Sequence, residues 1–171
     1  MRHCIEVPSA REYAAHLRTA ELRVTRPRAT VLEAVHTHPH ADTKTIYRAV
    51  RAVLPEVSRQ TVYDVLQALS DAGLVRRIQP AGTAVRYEAR VGDNHHHFVC
   101  RTCGVIADVD CAVGAAPCLT APGDRGFVVE EAEVTYWGSC RDCSATQVSR
   151  SGLRSKSDSP TPGRKDRRVQ E

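Results

Sequence analysis

The sequence predicts an α+β fold in two parts: a helical N-terminal part closed by a β-hairpin, then a smaller α/β part. Three observations carry that prediction. Apolar residues recur at helical spacing as far as Gly73 and at strand spacing afterwards. Formal charge changes sign along the chain, with 14 Lys and Arg against 9 Asp and Glu in residues 1–90, 3 against 8 in residues 91–146, and 7 against 3 in residues 147–171. Two Cys-x-x-Cys pairs, Cys100/Cys103 and Cys140/Cys143, fall in the second part. With 171 residues, 42% hydrophobic and 26% charged, the chain suits two small globular units and leaves little room for a multidomain enzyme. No apolar run approaches the ~18 to 20 residues of a membrane span, and the start of the chain, with Glu6 and Glu12, lacks the apolar segment of a secretory signal. A cytoplasmic protein without a membrane partner is expected, in which seven cysteines serve metal or redox chemistry rather than a disulfide framework.

Tyr13, Leu17 and Ala20, spaced by four and three, predict a short amphipathic helix over 12–20, expected at the periphery. Thr25-Arg26-Pro27-Arg28 predicts a helix start, a hydroxyl cap with proline in the first turn, followed by Val31, Leu32 and Val35 on one face and an end before Pro39. Asp42 or Thr43 caps a third helix carrying Ile46, Ala49, Val50 and Val53. It stops at Leu54, because Pro55 disfavours helical geometry in the residue before it. Ser58 caps a fourth, with Val62, Val65, Leu66 and Leu69 facing inward and Gly73 at its end. Its outward face presents Arg59, Gln60, Thr61, Tyr63, Asp64 and Gln67, side chains of the kind that bind phosphates and base edges. Residues 74–78 and 85–88 predict two strands around a Pro80-Ala81-Gly82-Thr83 turn. Helices followed by a basic hairpin make a winged helix-turn-helix over 1–90, a DNA-binding unit, with a hinge at 91–94.

Over 95–145, the runs 97–100, 105–109, 126–129 and 133–137 predict short strands, and alanine-rich 112–121 predicts a helix, together an α/β dimerisation unit. From 146 to 171 the chain is basic and nearly free of apolar residues, which predicts a disordered tail. Two thiolates separated by two residues grip one tetrahedral ion from a turn, so Cys100, Cys103, Cys140 and Cys143 predict a closed, structural Zn2+ site that staples the first hairpin of this part to its last strand. A redox pair or uncommitted thiols are the alternatives, and Cys4, Cys111 and Cys118 read as ordinary thiols. In His95-His96-His97, a strand turns His95 and His97 to one side and His96 to the other. If 100–103 turns a hairpin, the returning strand brings Asp108 beside His95 and His97. Imidazoles with a carboxylate suit Fe(II), Mn(II), Ni(II), Co(II) or Zn(II); a solvated histidine-rich loop is the bland reading.

Taken together, Leu22-Arg23-Val24-Thr25-x-Pro27-Arg28, His40-x6-Tyr47, Thr61-Val62-Tyr63, Ala72-Gly73-Leu74-Val75, Arg86-Tyr87-Glu88 and His95-x-His97-x2-Cys100-x2-Cys103-Gly104 closely resemble the ferric uptake regulator (Fur) family over about 16–143. Within it they look like the actinobacterial FurA branch, whose members typically repress an adjacent catalase-peroxidase gene. The resemblance implies a homodimeric repressor that binds double-stranded operator DNA when loaded with a regulatory metal, Fe2+ first, with Mn2+ and Zn2+ as alternatives. It implies a regulatory site at His40, Glu88, His95, His97 and Asp108. A further site of many members falls on Asn94, His96 and Ala132, of which only His96 can ligate. For DNA it implies Arg59, Thr61 and Tyr63 in the major groove, Arg23 at phosphate or the minor groove, and Arg28, Arg76 and Arg77 on the backbone. Asp64 stands where the family often has arginine and suits a cytosine amino group better than guanine. The pairing of Glu88 with Asp108 leaves iron and peroxide both open as the signal. A metalloenzyme is the competing class, disfavoured because no other acid, base or nucleophile cluster stands in the sequence; a zinc-stapled adaptor is the third.

Overall fold

The computed structural model describes residues 7–80, 82–111, 126–128 and 132–146. Four helices come first: α1 (Ala10–Thr19), α2 (Arg26–Thr37), α3 (Thr43–Val53) and α4 (Arg59–Asp71). The last three start at the predicted caps. The Thr25 hydroxyl accepts from the Arg28 N–H (3.4 Å), Asp42 Oδ1 from Thr45 (2.8 Å) and Ser58 Oγ from Thr61 (2.9 Å), each satisfying a donor the helix leaves open. α1 is not peripheral. It packs on α2 and buries Tyr13 and Leu17 almost completely, bringing both into the same hydrophobic core as Val31 and Val35 of α2. Its start also lies earlier than expected, where the Ser9 N–H donates to Glu12 Oε2 (2.6 Å).

The core of this half gathers Leu17, Val31, Leu32, Val35, Ile46, Val50, Val62, Leu66 and Leu69, all sealed from solvent, each contributing about 1.5–3 kcal/mol of burial. A small antiparallel sheet closes it, with order β1-β3-β2 from β1 (Ala41–Asp42), β2 (Arg76–Ile78) and β3 (Arg86–Glu88). β1 was not expected from the sequence. It pairs Ala41 with Tyr87 and so anchors the residue just before it, His40, beside the end of the wing.

The second sheet has order β5-β4-β6, from β4 (His95–Cys100), β5 (Ile106–Asp110) and β6 (Thr135–Gly138). β5 runs antiparallel and β6 parallel to β4. The turn between β4 and β5 is closed by the Gly104 N–H on the Cys100 carbonyl (2.9 Å), with Gly104 at φ +72, a conformation that favours glycine. Ile78 of the wing joins Val99 and Ile106 in a second small core, with Trp137 packed against it. Of the strand expected over 126–129, residues 126–128 are not extended pairing partners; both sides of β4 are already taken by β5 and β6, and Phe127 and Val128 face solvent. Residues 141–146 are helical, so residue 146, expected in the tail, ends a helical turn. The helix expected over 112–121, Val129 and the tail from 147 lie outside the described residues. No helix among the described residues is long and apolar enough to cross a membrane.

Candidate metal centre

Four segments converge on one buried point. His40 sits in the turn before β1 at φ +58, a left-handed backbone uncommon outside glycine, and Arg86 Nη1 donates to its carbonyl (3.0 Å), holding that turn in place. Glu88 ends β3 with 1% of its surface exposed. On the second sheet, His97 and Asp108 are register partners, with His95 two residues earlier on the same face, as strand parity predicted. His40, Glu88, His97 and Asp108 each offer a ligand atom within 4.8 Å of the others. His97 Nε2 lies 2.9 Å and His40 Nε2 3.1 Å from Glu88 Oε2, and His40 Nε2 lies 2.7 Å from Asp108 Oδ1. His95 adjoins the set, its Nε2 3.3 Å from Glu88 Oε1 and 4.0 Å from Asp108 Oδ1.

The electrostatics of this cluster call for a cation. Two carboxylates face one another across three imidazoles away from water, where an uncompensated charge is costly. Burial alone would push the His40 ring down, but hydrogen bonds to Asp108 and Glu88 outweigh it and hold its pKa at about 9. Burial likewise raises Glu88, and the hydrogen bonds from His40 and His97 reverse that and bring it to about 2. A proton on His40 thus does part of the neutralising. Glu88 Oε1 and His95 Nε2 are buried without a hydrogen bond among the described residues. With ligand atoms of His40, Glu88, His97 and Asp108 all within 4.8 Å of one another, the residues fit a divalent metal of the nitrogen-and-oxygen-liking kind. Asp93, which sequence reasoning missed, takes a hydrogen bond from His95 Nδ1 (2.8 Å) and thereby turns Nε2 inward. Arg90 ties Asp93 (2.5 Å) to Asp110 on β5 (2.7 Å). The only sequence signal for Asp93 is its place two residues before His95.

The four cysteines form a second group, again within 4.8 Å of one another. Cys100 and Cys103 flank the β4–β5 turn; Cys140 and Cys143 follow β6. Cys103 Sγ and Cys140 Sγ are 3.7 Å apart, far beyond a disulfide. It matches instead the edge of about 3.8 Å in a tetrahedron of 2.3 Å metal–sulfur bonds. The Cys140 N–H donates to Cys100 Sγ (3.3 Å), and such backbone donors bring that thiol down to about 6. Neighbouring sulfurs push Cys143 up to about 12, a crowding that a bound cation relieves. The donor set fits zinc.

His96 is buried on the opposite face of β4 with its ring 6.4 Å from that of Tyr136, and joins no cluster of three ligands among the described residues. Arg23 is exposed between α1 and α2, and Arg28 Nη1 donates to its carbonyl (3.0 Å). Arg59, Thr61 and Tyr63 begin α4, Thr61 Oγ1 lying 2.9 Å from the capping Ser58 hydroxyl and Tyr63 half exposed. Arg77 is exposed on β2, whereas Arg76 turns toward the metal cluster, Nε 3.9 Å from Glu88 Oε1.

Comparison with known proteins accords with this arrangement. The family model described as the ferric uptake regulator family matches residues 19–137. The chain is 71% identical over 140 residues to the transcriptional regulator FurA of Mycobacterium tuberculosis (strain ATCC 25618 / H37Rv), covering 82% of this chain and 95% of that protein. It is 66% identical over 128 residues to ferric uptake regulation protein 1 of Mycolicibacterium fortuitum, covering 75% and 80%. The crystal structure of the Vibrio cholerae ferric uptake regulator shares its fold with a TM-score of 0.56 at 26% identity, covering 74% of this chain and 98% of that one. This chain, with a winged helix in front of a second sheet and a histidine–carboxylate cluster between them, belongs to the ferric uptake regulator family.

Proposed function

We propose that this chain is an Fe(II)-dependent transcriptional repressor that binds operator DNA as a homodimer and controls a catalase-peroxidase gene and its own gene. Cys100, Cys103, Cys140 and Cys143 hold a structural Zn2+; His40, Glu88, His95, His97 and Asp108 hold the regulatory ion. One observation carries the reading: the regulatory donors come from both sheets, His40 and Glu88 from the winged half and His95, His97 and Asp108 from the other. A cation at that point supplies the positive charge that the His40 proton otherwise provides and adds directional bonds to both halves. His40, held by Arg86, and Glu88, at the end of the wing, then fix how the winged half stands on the second sheet. The relatives named as transcriptional and ferric uptake regulators support a regulator rather than an enzyme. The Vibrio cholerae protein, whose DNA-binding domains are described as rearranging, supports a switch of that kind.

The switch is a population shift. Donors on both halves meet only in the closed arrangement, so the cation favours it over the open one, and the closed arrangement sets both recognition helices of a dimer for successive half-sites. Reversing the populations needs differential binding of about 5.5 kcal/mol. The test is binding of the zinc-loaded chain to duplex from upstream of its own gene, anaerobically, with and without Fe(II), then after a peroxide pulse at fixed salt. Binding that requires Fe(II) and survives peroxide marks an iron sensor, and binding that collapses marks a peroxide sensor. Binding that answers only to Mn(II) or Zn(II) changes the effector, and binding indifferent to every metal overturns the switch.

A further inference from the structure

α3 carries Lys44, Arg48 and Arg51 on its exposed side, spaced by four and three, so they stand in one row along the helix. The row borders the start of α4. There Arg59 lays its guanidinium over the Tyr47 ring, its Cζ 5.4 Å from the ring centroid. With Tyr63 these side chains line an open cavity of about 590 Å³ that has no carboxylate in its wall. Among the described residues none of the four cations has an ion-pair partner. Like charges at helical spacing repel. Four gathered around one cavity whose wall carries no carboxylate, with only Asp42 at the N-cap of α3 acting on Lys44, form a surface complementary to a polyanion.

We propose that this ledge is a clamp for the sugar-phosphate backbone of double-stranded DNA, beside the groove that α4 enters, and that Arg59 belongs to the clamp rather than to base reading. The inference rests on the DNA-binding function above. From Lys44 to Arg51 the helix rises about 10 Å. One DNA strand advances about 3.4 Å along the duplex axis per phosphate, so the row spans about three such steps. Stacking on Tyr47 draws Arg59 toward α3 while leaving the edge of its planar fork, the part that suits phosphate oxygens, free. It also links α4 to α3, so clamp and reading helix approach DNA as one body. Base edges are left to Tyr63 and to Asp64, whose Oδ1 takes the Gln60 amide at 2.7 Å.

The experiment uses the full, metal-loaded chain and two labelled duplexes of equal length, one from upstream of its own gene and one scrambled. Affinity is followed across a salt series for wild type, R48A, R51A, R59A, the charge-keeping R48K and Y63A, with zinc content and thermal melting as controls of folding. Each alanine variant of the clamp is expected to weaken both duplexes alike. Each should also flatten the plot of log affinity against log salt by about 1.8 per two-armed dimer, that is about 0.9 for each phosphate no longer neutralised. R48K should keep the wild-type slope, and Y63A should lose discrimination between the duplexes with its slope intact. An unchanged slope in R48A and R51A removes the ledge from the DNA. Loss of discrimination without loss of slope in R59A returns Arg59 to base reading. If the wild type binds neither duplex, the DNA-binding function itself fails, and the clamp with it.

Discussion

Raising the pH from about 7.5 to about 8.5 should tighten the regulatory cation about tenfold, and the reason lies in one ring. His40 is held at a pKa of about 9, the cost of burial being outweighed by its contacts with Asp108 at 2.7 Å and Glu88 at 3.1 Å. Across that range the ring is largely protonated, and a metal can take Nε2 only by releasing the proton. One proton released makes the affinity rise one decade per pH step, about 1.36 kcal/mol, and the rise levels off above about pH 9. An ordinary histidine, near 6.5, would already be neutral, and the affinity would be flat. The assay is titration of the zinc-loaded chain with Mn(II) by calorimetry, at both pH values and in two buffers of different ionisation heat, which counts protons directly. No proton released and equal affinity at both values would refute the role given to the carboxylates around His40. The same pair carries a stability signature of about 3 kcal/mol. The His40 share is fully present below about pH 6.5 and is lost as pH rises through about 9. The Glu88 share is present above about pH 4.5 and is lost as pH falls toward about 2. Both report one shared interaction and do not add.

Cys103→Ser should lose the cysteine-bound zinc and lower the melting temperature, read by metal analysis and circular dichroism, because the group that ties β4 to the end of β6 is then incomplete. His97→Ala should keep zinc and helix content but lose metal-promoted DNA binding; retention of wild-type binding would take His97 out of the switch. Asp93→Ala frees the His95 ring and should weaken the regulatory metal about tenfold to a hundredfold at unchanged zinc content, followed by Co(II) titration; an unchanged affinity would mean that His95 needs no orienting partner. Leu66→Ala, at a position with no exposed surface, should cost about 2–5 kcal/mol in urea unfolding. A loss below about 1 kcal/mol would mean the helical core closes over the gap.

The helices were legible where a capping side chain preceded an apolar period, as at Thr25, Asp42 and Ser58. The burial of α1 was not, since it depends on α1 packing against α2, which the spacing of Tyr13 and Leu17 does not reveal. β1 is two residues long, too short for alternation to register, yet it places His40. Phe127 and Val128 have strand-favouring side chains but stay exposed outside both sheets, and propensity without a partner does not make a strand. At the site, strand parity with a hairpin turn at 100–103 was enough to bring Asp108 beside His95 and His97, and the register pairs it with His97. His40 and Glu88 lie 48 residues apart, and only the resemblance brought them to the cluster before the fold did. Asp93 and Arg86 were missed because their work is orientation. One turns a ring and the other holds a carbonyl, and neither is separable in sequence from an ordinary surface charge.

The most direct test of a metal-set switch is its reciprocity. If the cation at His40, Glu88, His95, His97 and Asp108 selects the arrangement that binds DNA, then DNA must select the arrangement that binds the cation, by the same factor. Mn(II) affinity of the zinc-loaded chain should be measured with and without saturating duplex from upstream of its own gene, and duplex affinity with and without Mn(II). The account predicts equal factors, at least tenfold in each direction. A metal affinity indifferent to DNA would show that the cluster binds its ion without moving the winged helix, and would contradict the switch.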